Sequence, residues 1–123
     1  MMKHKAKICY EDAVRMADGN RFDTAANRNY YALYQAVTSA LQDAGKNYDA
    51  YCDDNGTPYR RWRHDLVQKV CGDVLLAQDK STIEDAYDLR VQADYRVDSV
   101  DESELRRIMI ATEAILDTLG VPS

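Results

Sequence analysis

The chain has 123 residues, the size of one ordinary domain, and leaves no room for a second. Hydrophobic residues make up 46% and charged residues 30%, a balance typical of a globular protein, while scarce glycine and proline favour helices over a sheet with many turns. The net charge of −5 argues against general adhesion to nucleic acid or anionic membranes, so a nucleic-acid site has to be small and local. We therefore expect a single all-α domain over residues 1–123.

The N-terminal segment and the cysteines bear on compartment and cofactors. Residues 1–13 contain basic side chains without an apolar run behind them, and no stretch approaches the ~20 apolar residues of a membrane span. Cys9, Cys52 and Cys71 lie far apart without C-x-x-C spacing, which predicts free thiols. Neither a metal-ligand motif nor a glycine-rich phosphate loop is present in the sequence. We expect a cytoplasmic protein with no metal and no cofactor.

Helical periodicity predicts the first two helices. The first spans about Lys3–Asp18, with Gly19 as the left-handed residue that ends it. The second spans about Phe22–Ala44, and its core-facing positions fall within one arc: Phe22, Ala26, Tyr30, Leu33, Val37, Ala40, Leu41 and Ala44. The opposite arc is polar without being heavily charged and carries Arg28, Tyr31, Gln35, Ser39 and Gln42. That composition favours an interface or a site over a plain solvent face.

The next helix is predicted from its start signals. Residues 45–56 lack an apolar period and are predicted to form a loop, which Tyr48 and Tyr51 attach to the body. Thr57 as N-cap and Pro58 at the first helical position indicate a third helix that ends near Leu76.

Two S-x-x-E capping boxes predict the last two helices. Ser81–Glu84 indicates the start of a short fourth helix that ends near Ala93. Ser99–Glu102 repeats the pattern ahead of the last helix, whose apolar residues follow a sustained 3-4 spacing from Leu105 to Leu119. Gly120 and the following proline end it.

The densest positive charge in the chain lies just before the middle of the sequence. The segment Y-R-R-W-R-H contains Arg60, Arg61, Arg63 and His64, and arginines beside Trp62 or Tyr59 are typical of a site that holds phosphates and stacks bases. His64 is the candidate for proton transfer, because the other histidine, His4, is near the terminus. The alternative is structural: the arginines pair with Asp53 and Asp54, Trp62 belongs to the core, and His64 is a partly buried helix residue.

A second polar cluster lies in the fourth helix. Arg90 and Asp94 are one helical turn apart, and by composition they form a simple i,i+4 ion pair worth a few tenths of a kcal/mol. Tyr95 follows directly.

Two motifs together give the chain a family resemblance. The segment Arg28-Asn29-Tyr30-Tyr31-Ala32 matches R-x-Y-Y-A, and Arg90–Tyr95 matches R-x-x-A-D-Y, so the chain resembles the HEPN superfamily in its UPF0332-like branch. The resemblance implies an antiparallel four-helix bundle with a short additional helix, paired as a homodimer. It also implies RNA- or nucleotide-related functions, often as the toxin partner of a small nucleotidyltransferase antitoxin. The two motifs are then expected to meet across packed helices and line a shared polar pocket.

The nuclease relatives carry an R-x(4–6)-H motif in which arginine stabilises charge on the phosphate and histidine moves a proton. Here Tyr95 occupies the histidine position counted from Arg90, and Val91 replaces the polar residue that often follows the arginine. A tyrosine with a pKa near 10 is a poor base at neutral pH. His64 is the alternative proton carrier if it approaches Arg28 or Arg90.

Three hypotheses therefore remain open. The first is a HEPN-like module that binds RNA, nucleotide or a partner protein through a shared set of side chains: Arg28, Tyr31, His64, Arg90, Asp94 and Tyr95, with Arg60, Arg61 and Arg63 as further phosphate contacts. The second is a metal-independent toxin ribonuclease that uses His64 with Arg28 or Arg90. The third is a structural module whose polar face forms a dimer.

Overall fold

The computed structural model describes residues 2–95 and 100–122, and most of these are helical. Five α-helices follow one another: α1 (Met2–Asp18), α2 (Phe22–Asp43), α3 (His64–Val70), α4 (Ala77–Tyr95) and α5 (Glu102–Thr118). Short 3₁₀ turns occupy Tyr48–Ala50 and Cys71–Asp73. The described part of the chain holds no β-strand, and its one isolated bridge joins Cys52 to Pro58. The all-α prediction is confirmed.

Helix α2 lies at the centre of the packing and contacts each of the other four helices. Ten of its residues are buried, more than one amphipathic face would supply: Ala25, Ala26, Asn29, Tyr30, Ala32, Leu33, Ala36, Val37, Thr38 and Leu41. Alanines on the additional face allow α1 to approach closely, since a methyl group occupies little space between two helix backbones. The predicted core arc was too narrow and only partly right: Phe22 and Ala40 are half-buried, and Ala44 is exposed beyond the end of α2.

The turn between α1 and α2 corrects one sequence expectation. The left-handed residue is Asn20, with φ of 63°, and not Gly19. Asparagine tolerates this conformation better than most non-glycine residues. The backbone N–H of Arg21 donates to Met16 O at 2.7 Å, which satisfies a carbonyl at the end of α1.

The predicted third helix from Thr57 to Leu76 is wrong at both ends. Thr57 is not an N-cap, because its carbonyl accepts from the backbone N–H of Asp53 at 2.9 Å, and Pro58 belongs to the isolated bridge. Asp53 holds the loop further, because its carboxylate accepts from the backbone N–H of Asn55 and of Thr57. The helix itself is α3, a seven-residue segment that begins at His64.

The fourth helix is long rather than short. It begins at Ala77, so Ser81 lies inside it and donates its hydroxyl to Gln78 O at 2.9 Å instead of capping a helix start. At the last helix, Ser99 of the second predicted capping box lies outside the described residues. The N-cap is Asp101, whose carboxylate accepts from the backbone N–H of Glu104 at 2.9 Å.

The main core is built from all five helices and the segment before α3. Leu33, Leu41, Leu66, Leu105 and Ile108 are its largest fully enclosed side chains. Among residues 2–95 and 100–122, no helix is long and apolar enough to cross a bilayer.

The cap assignments predict different responses to two similar substitutions. Asp101→Ala removes the side-chain acceptor at the start of α5 and should lower the free energy of unfolding by about 1 kcal/mol. Ser81→Ala removes a mid-helix hydroxyl and should change it by less than about 0.5 kcal/mol. Urea denaturation of both variants measures the difference, and a larger loss for Ser81→Ala would contradict these helix boundaries.

Candidate functional site

A hydrogen bond between α2 and α3 fixes the histidine singled out by the sequence. Tyr30, buried on α2, places its hydroxyl oxygen 2.9 Å from Nδ1 of His64, the first residue of α3. The direction of donation depends on the imidazole tautomer, since either group can supply the proton. The contact orients the ring and leaves Nε2 as its other polar atom.

Helix α4 encloses the same imidazole from a second side. Tyr87 stacks on His64 with ring centroids 3.6 Å apart and planes inclined by 9°. The carboxylate of Glu84, one turn earlier on α4, lies 3.7 Å from His64 Nε2. With 19% of its side chain exposed, His64 is partly open to solvent but is oriented by three helices.

Arg90 of α4 lies against the R-x-Y-Y-A motif of α2. Its guanidinium carbon is 5.5 Å from the ring centroid of Tyr30 and 5.3 Å from that of Tyr31, both within cation–π range. Its Nη2 donates to Tyr31 Oη at 3.5 Å. The two motifs therefore meet across packed helices, as expected, and His64 and Arg90 both contact Tyr30.

The ion pair predicted between Arg90 and Asp94 is present but loose. Arg90 Nε lies 3.7 Å from Asp94 Oδ2, within ion-pair range but beyond hydrogen-bond distance. That Nε atom is buried and has no hydrogen-bond partner among the described residues. Because Nε has almost no accessible surface, an anion in the cleft would meet Arg90 through the exposed part of its guanidinium group.

These side chains line an open cleft of about 560 Å³. Its walls come from α2, from α4 and from the segment that leads into α3, and its lining is aromatic and basic: Tyr30, Tyr31, Tyr34, Arg61, Trp62, Arg63, His64, Asp65, Tyr87 and Arg90. Trp62 is buried and packs edge-on against Tyr48 at 5.9 Å, so the core position and the loop attachment expected from the sequence are both observed.

The arginines of the cleft differ in how far they are neutralised. Arg63 contacts Asp65 through Nε at 3.1 Å and through Nη2 at 3.3 Å. Partial burial opposes ionisation of Asp65, but the hydrogen bond from Tyr59 and the charge of Arg63 outweigh it and lower the pKa of the carboxyl group. Within the described chain, Arg60 and Arg61 make no side-chain ion pair, so neither pairs with Asp53 or Asp54 as the structural alternative expected.

The protonation states follow from burial. Burial raises the pKa of Tyr30 above its ordinary value although the charge of Arg90 opposes the shift, and burial likewise raises the pKa of Tyr34 against the charge of Arg61. Both phenols stay neutral donors. Burial lowers the pKa of His64 below 6.5, and the carboxylate of Glu84 offsets part of that change. At neutral pH the cleft holds a neutral imidazole beside permanent guanidinium charges.

The remaining candidate residues lie around or away from this cleft. Arg60 is exposed in a neighbouring groove. Asp94 does not line the cleft and is connected to it only by its ion pair with Arg90. Tyr95 has 83% of its surface exposed. Arg28 is exposed on α2 and is not part of the cleft lining. In a single protomer, then, the arginine that accompanies His64 is Arg90.

Tyr87 and Glu84 were missed by the sequence analysis. Both precede Arg90 at spacings that share one face of α4, a signal already present in the predicted fourth helix. Glu84 was instead assigned to a capping box, which removed it from consideration as a partner of His64.

Comparisons with known proteins do not assign the chain to a family: no family model and no curated protein matches it. Among residues 2–95 and 100–122, no group of three or more His, Cys, Asp or Glu side chains is arranged to hold a metal ion.

Burial and Glu84 act in opposite directions on the pKa of His64, so the direction of the pKa change in a Glu84 variant can be predicted. Glu84→Gln removes a carboxylate that raises the pKa of His64, so that pKa should fall further below 6.5. NMR titration of the imidazole measures the shift, and Glu11→Gln, an exposed carboxylate outside the cleft, is the matched control. An unchanged or raised pKa in Glu84→Gln would contradict the contact.

The lowered pKa of His64 also has a consequence for stability. Below pH 6.5 the unfolded chain binds a proton at this residue more readily than the folded chain does. The contribution of a neutral His64 to folding is thus present above pH 6.5 and is lost as the pH falls through the lowered folded-state pKa.

Proposed function

We propose that the protein is a HEPN-like module that binds RNA through the cleft around His64 and Arg90. The observation that carries the proposal is that Tyr30 of the R-x-Y-Y-A motif contacts both His64 and Arg90, so that the two motifs and the histidine share one cleft. In this proposal α1, α2, α4 and α5 are the four helices of the bundle and α3 is the short additional helix. A homodimer belongs to the same proposal through the family resemblance.

The cleft has the two properties that RNA recognition requires. Arg61 and Arg90 supply charge for phosphates. Tyr31 and Tyr34 are half-buried aromatic side chains in the same lining and supply surfaces on which an unpaired base can stack. A neutral phenol also donates a hydrogen bond to a phosphate or base oxygen. A local site of this kind is compatible with a net charge of −5.

Removal of Arg90 should weaken RNA binding. Arg90→Ala deletes the guanidinium against Tyr31 and should cost about 1–3 kcal/mol, roughly fivefold to 150-fold in Kd. Fluorescence anisotropy with a labelled oligouridylate of about eight nucleotides measures the change.

The control for Arg90→Ala is Arg107→Ala, which removes an exposed arginine of α5 that contacts Asp85 of α4 outside the cleft. If both variants weaken RNA binding equally, the loss of one positive charge would explain the effect and a contact of Arg90 with RNA would not be needed. If the wild-type protein binds no RNA, the proposed function is wrong.

A second candidate function is metal-independent cleavage of RNA, favoured by the way the His64 ring is held. When Nδ1 carries the proton and donates to Tyr30, Nε2 has a free lone pair, and the carboxylate of Glu84 stabilises the proton that Nε2 accepts. The ribose 2′-hydroxyl would lose its proton to Nε2 and attack phosphorus while the bond to the 5′-oxygen breaks. The products would be a 2′,3′-cyclic phosphate and a 5′-hydroxyl, whose proton would come from solvent water. Arg90 would stabilise the charge on the phosphate oxygens.

Substitution of His64 tests this second candidate. His64→Ala should reduce the cleavage rate of single-stranded RNA in the presence of a chelator by about a hundredfold or more, because a positioned acid or base contributes on that order. His4→Ala, which removes an exposed histidine of α1, should leave the rate unchanged.

Relief of expression toxicity by His64→Ala would link the activity to a toxin role and to a neighbouring antitoxin. Cleavage that persists in His64→Ala would exclude His64 as the proton carrier and leave the binding function standing.

A further inference from the structure

A second groove lies directly beside the cleft, on the outer side of the segment that leads into α3. It has a volume of about 280 Å³, and its lining combines three arginines with an aromatic ring and one carboxylate: Asp53, Thr57, Pro58, Tyr59, Arg60, Arg61 and Arg63. Arg61 and Arg63 line both this groove and the His64 cleft. The two depressions therefore share a basic wall, which we call the arginine ridge and define as residues 60–63.

The charge available on the arginine ridge differs from one residue to the next. Arg63 is held by Asp65 and lies over the Tyr59 ring at 5.4 Å, so its charge is largely balanced. Arg60 and Arg61 are exposed, and neither makes a side-chain ion pair within the part of the chain that is described. Both line the same groove, so an anion bound there would be attracted by two positive charges that no ion pair neutralises.

The backbone of the ridge is anchored on both sides of these two arginines. Before them, Tyr59 is buried, its N–H donates to Tyr51 O at 3.0 Å, and its hydroxyl donates to Asp65 at 2.9 Å. After them, Trp62 is buried against Tyr48. Arg60 and Arg61 thus extend from a preorganised segment, which lowers the entropy cost of holding a ligand between them.

We infer that the arginine ridge is a second phosphate-binding subsite, in which Arg60 and Arg61 hold a phosphate of a nucleotide adjacent to the one in the His64 cleft. The inference rests on the proposed RNA-binding function and specifies its ligand as a single strand of several nucleotides. A mononucleotide fills one depression and leaves the other empty. A duplex keeps its bases stacked and paired, so it offers no free base to the tyrosines of the cleft.

The test is a length series measured with wild-type protein and two variants. Uridine monophosphate is compared with an oligouridylate of about eight nucleotides and with a duplex of the same length. We expect the single strand to bind about tenfold or more tightly than the monophosphate, because each further phosphate that meets an arginine releases counterions. The duplex should bind more weakly than the single strand.

The variant that addresses the ridge is Arg60→Ala, and Lys5→Ala, an exposed cation of α1, is its control for net charge. Arg60→Ala should reduce the affinity ratio of the long strand to the monophosphate by about threefold or more, and should lower the slope of log K against log salt by roughly 0.7. Lys5→Ala should change neither quantity. A long strand also gains affinity because it can bind in several positions along its length. That gain would be the same in the wild-type protein, Arg60→Ala and Lys5→Ala.

The outcomes separate the subsite from the function on which it rests. If neither the monophosphate nor the single strand binds, the proposed function is wrong and the subsite with it. If the monophosphate binds and the long strand gains nothing, or if Arg60→Ala leaves the affinity ratio at its wild-type value, the cleft remains and the ridge subsite is excluded. Preference for the duplex would also exclude it.

Discussion

The packing of α2 against all four other helices is the constraint on which the rest of the structure depends. Because α2 is enclosed on more than one side, its polar and aromatic side chains have few directions in which to point. Tyr30 can satisfy its hydroxyl group through His64, and its ring then forms the floor on which Arg90 lies. A buried phenol without that partner would carry a desolvation cost. The hydrogen bond that the core packing requires of Tyr30 therefore also fixes the position of His64 in the cleft.

The cleft concentrates cationic and aromatic groups in a protein whose net charge is −5. Three nearby carboxylates balance part of that charge: Asp65 contacts Arg63, Asp94 lies near Arg90, and Glu84 faces His64. Arg61 is left without such a partner in the described chain. Local pairing therefore decides the field in the cleft more than the overall charge does, because salt screens charges separated by more than a Debye length of about 10 Å.

The sequence predicted α1, α2 and α5 closely because their apolar periods are long and their ends carry local signals. It failed where a local signal was used for a tertiary contact. Thr57 and Pro58 resemble a helix start, yet the carbonyl of Thr57 accepts from Asp53 and Pro58 pairs with Cys52. Ser81 resembles a cap, yet its hydroxyl bonds within α4. The meeting of the two motifs was expected, whereas the stacking of Tyr87 on His64 depends on how α3 packs against α4, which no local signal in the sequence predicts.

Because His64 and Arg90 lie on different helices, the distance between them depends on tertiary packing. Where arginine and histidine lie on one helix, their spacing is fixed by the helix itself. Here Tyr95, at the corresponding position of α4, is exposed, and the imidazole comes from the start of α3 instead. The separation of His64 from Arg90 is then set by how α3 packs between α2 and α4, and α3 has only seven residues. Such a helix is marginal alone, so the anchors at Tyr59 and Trp62 that hold the preceding segment also hold the histidine in register. The geometry of this cleft is thereby coupled to the stability of the loop before α3.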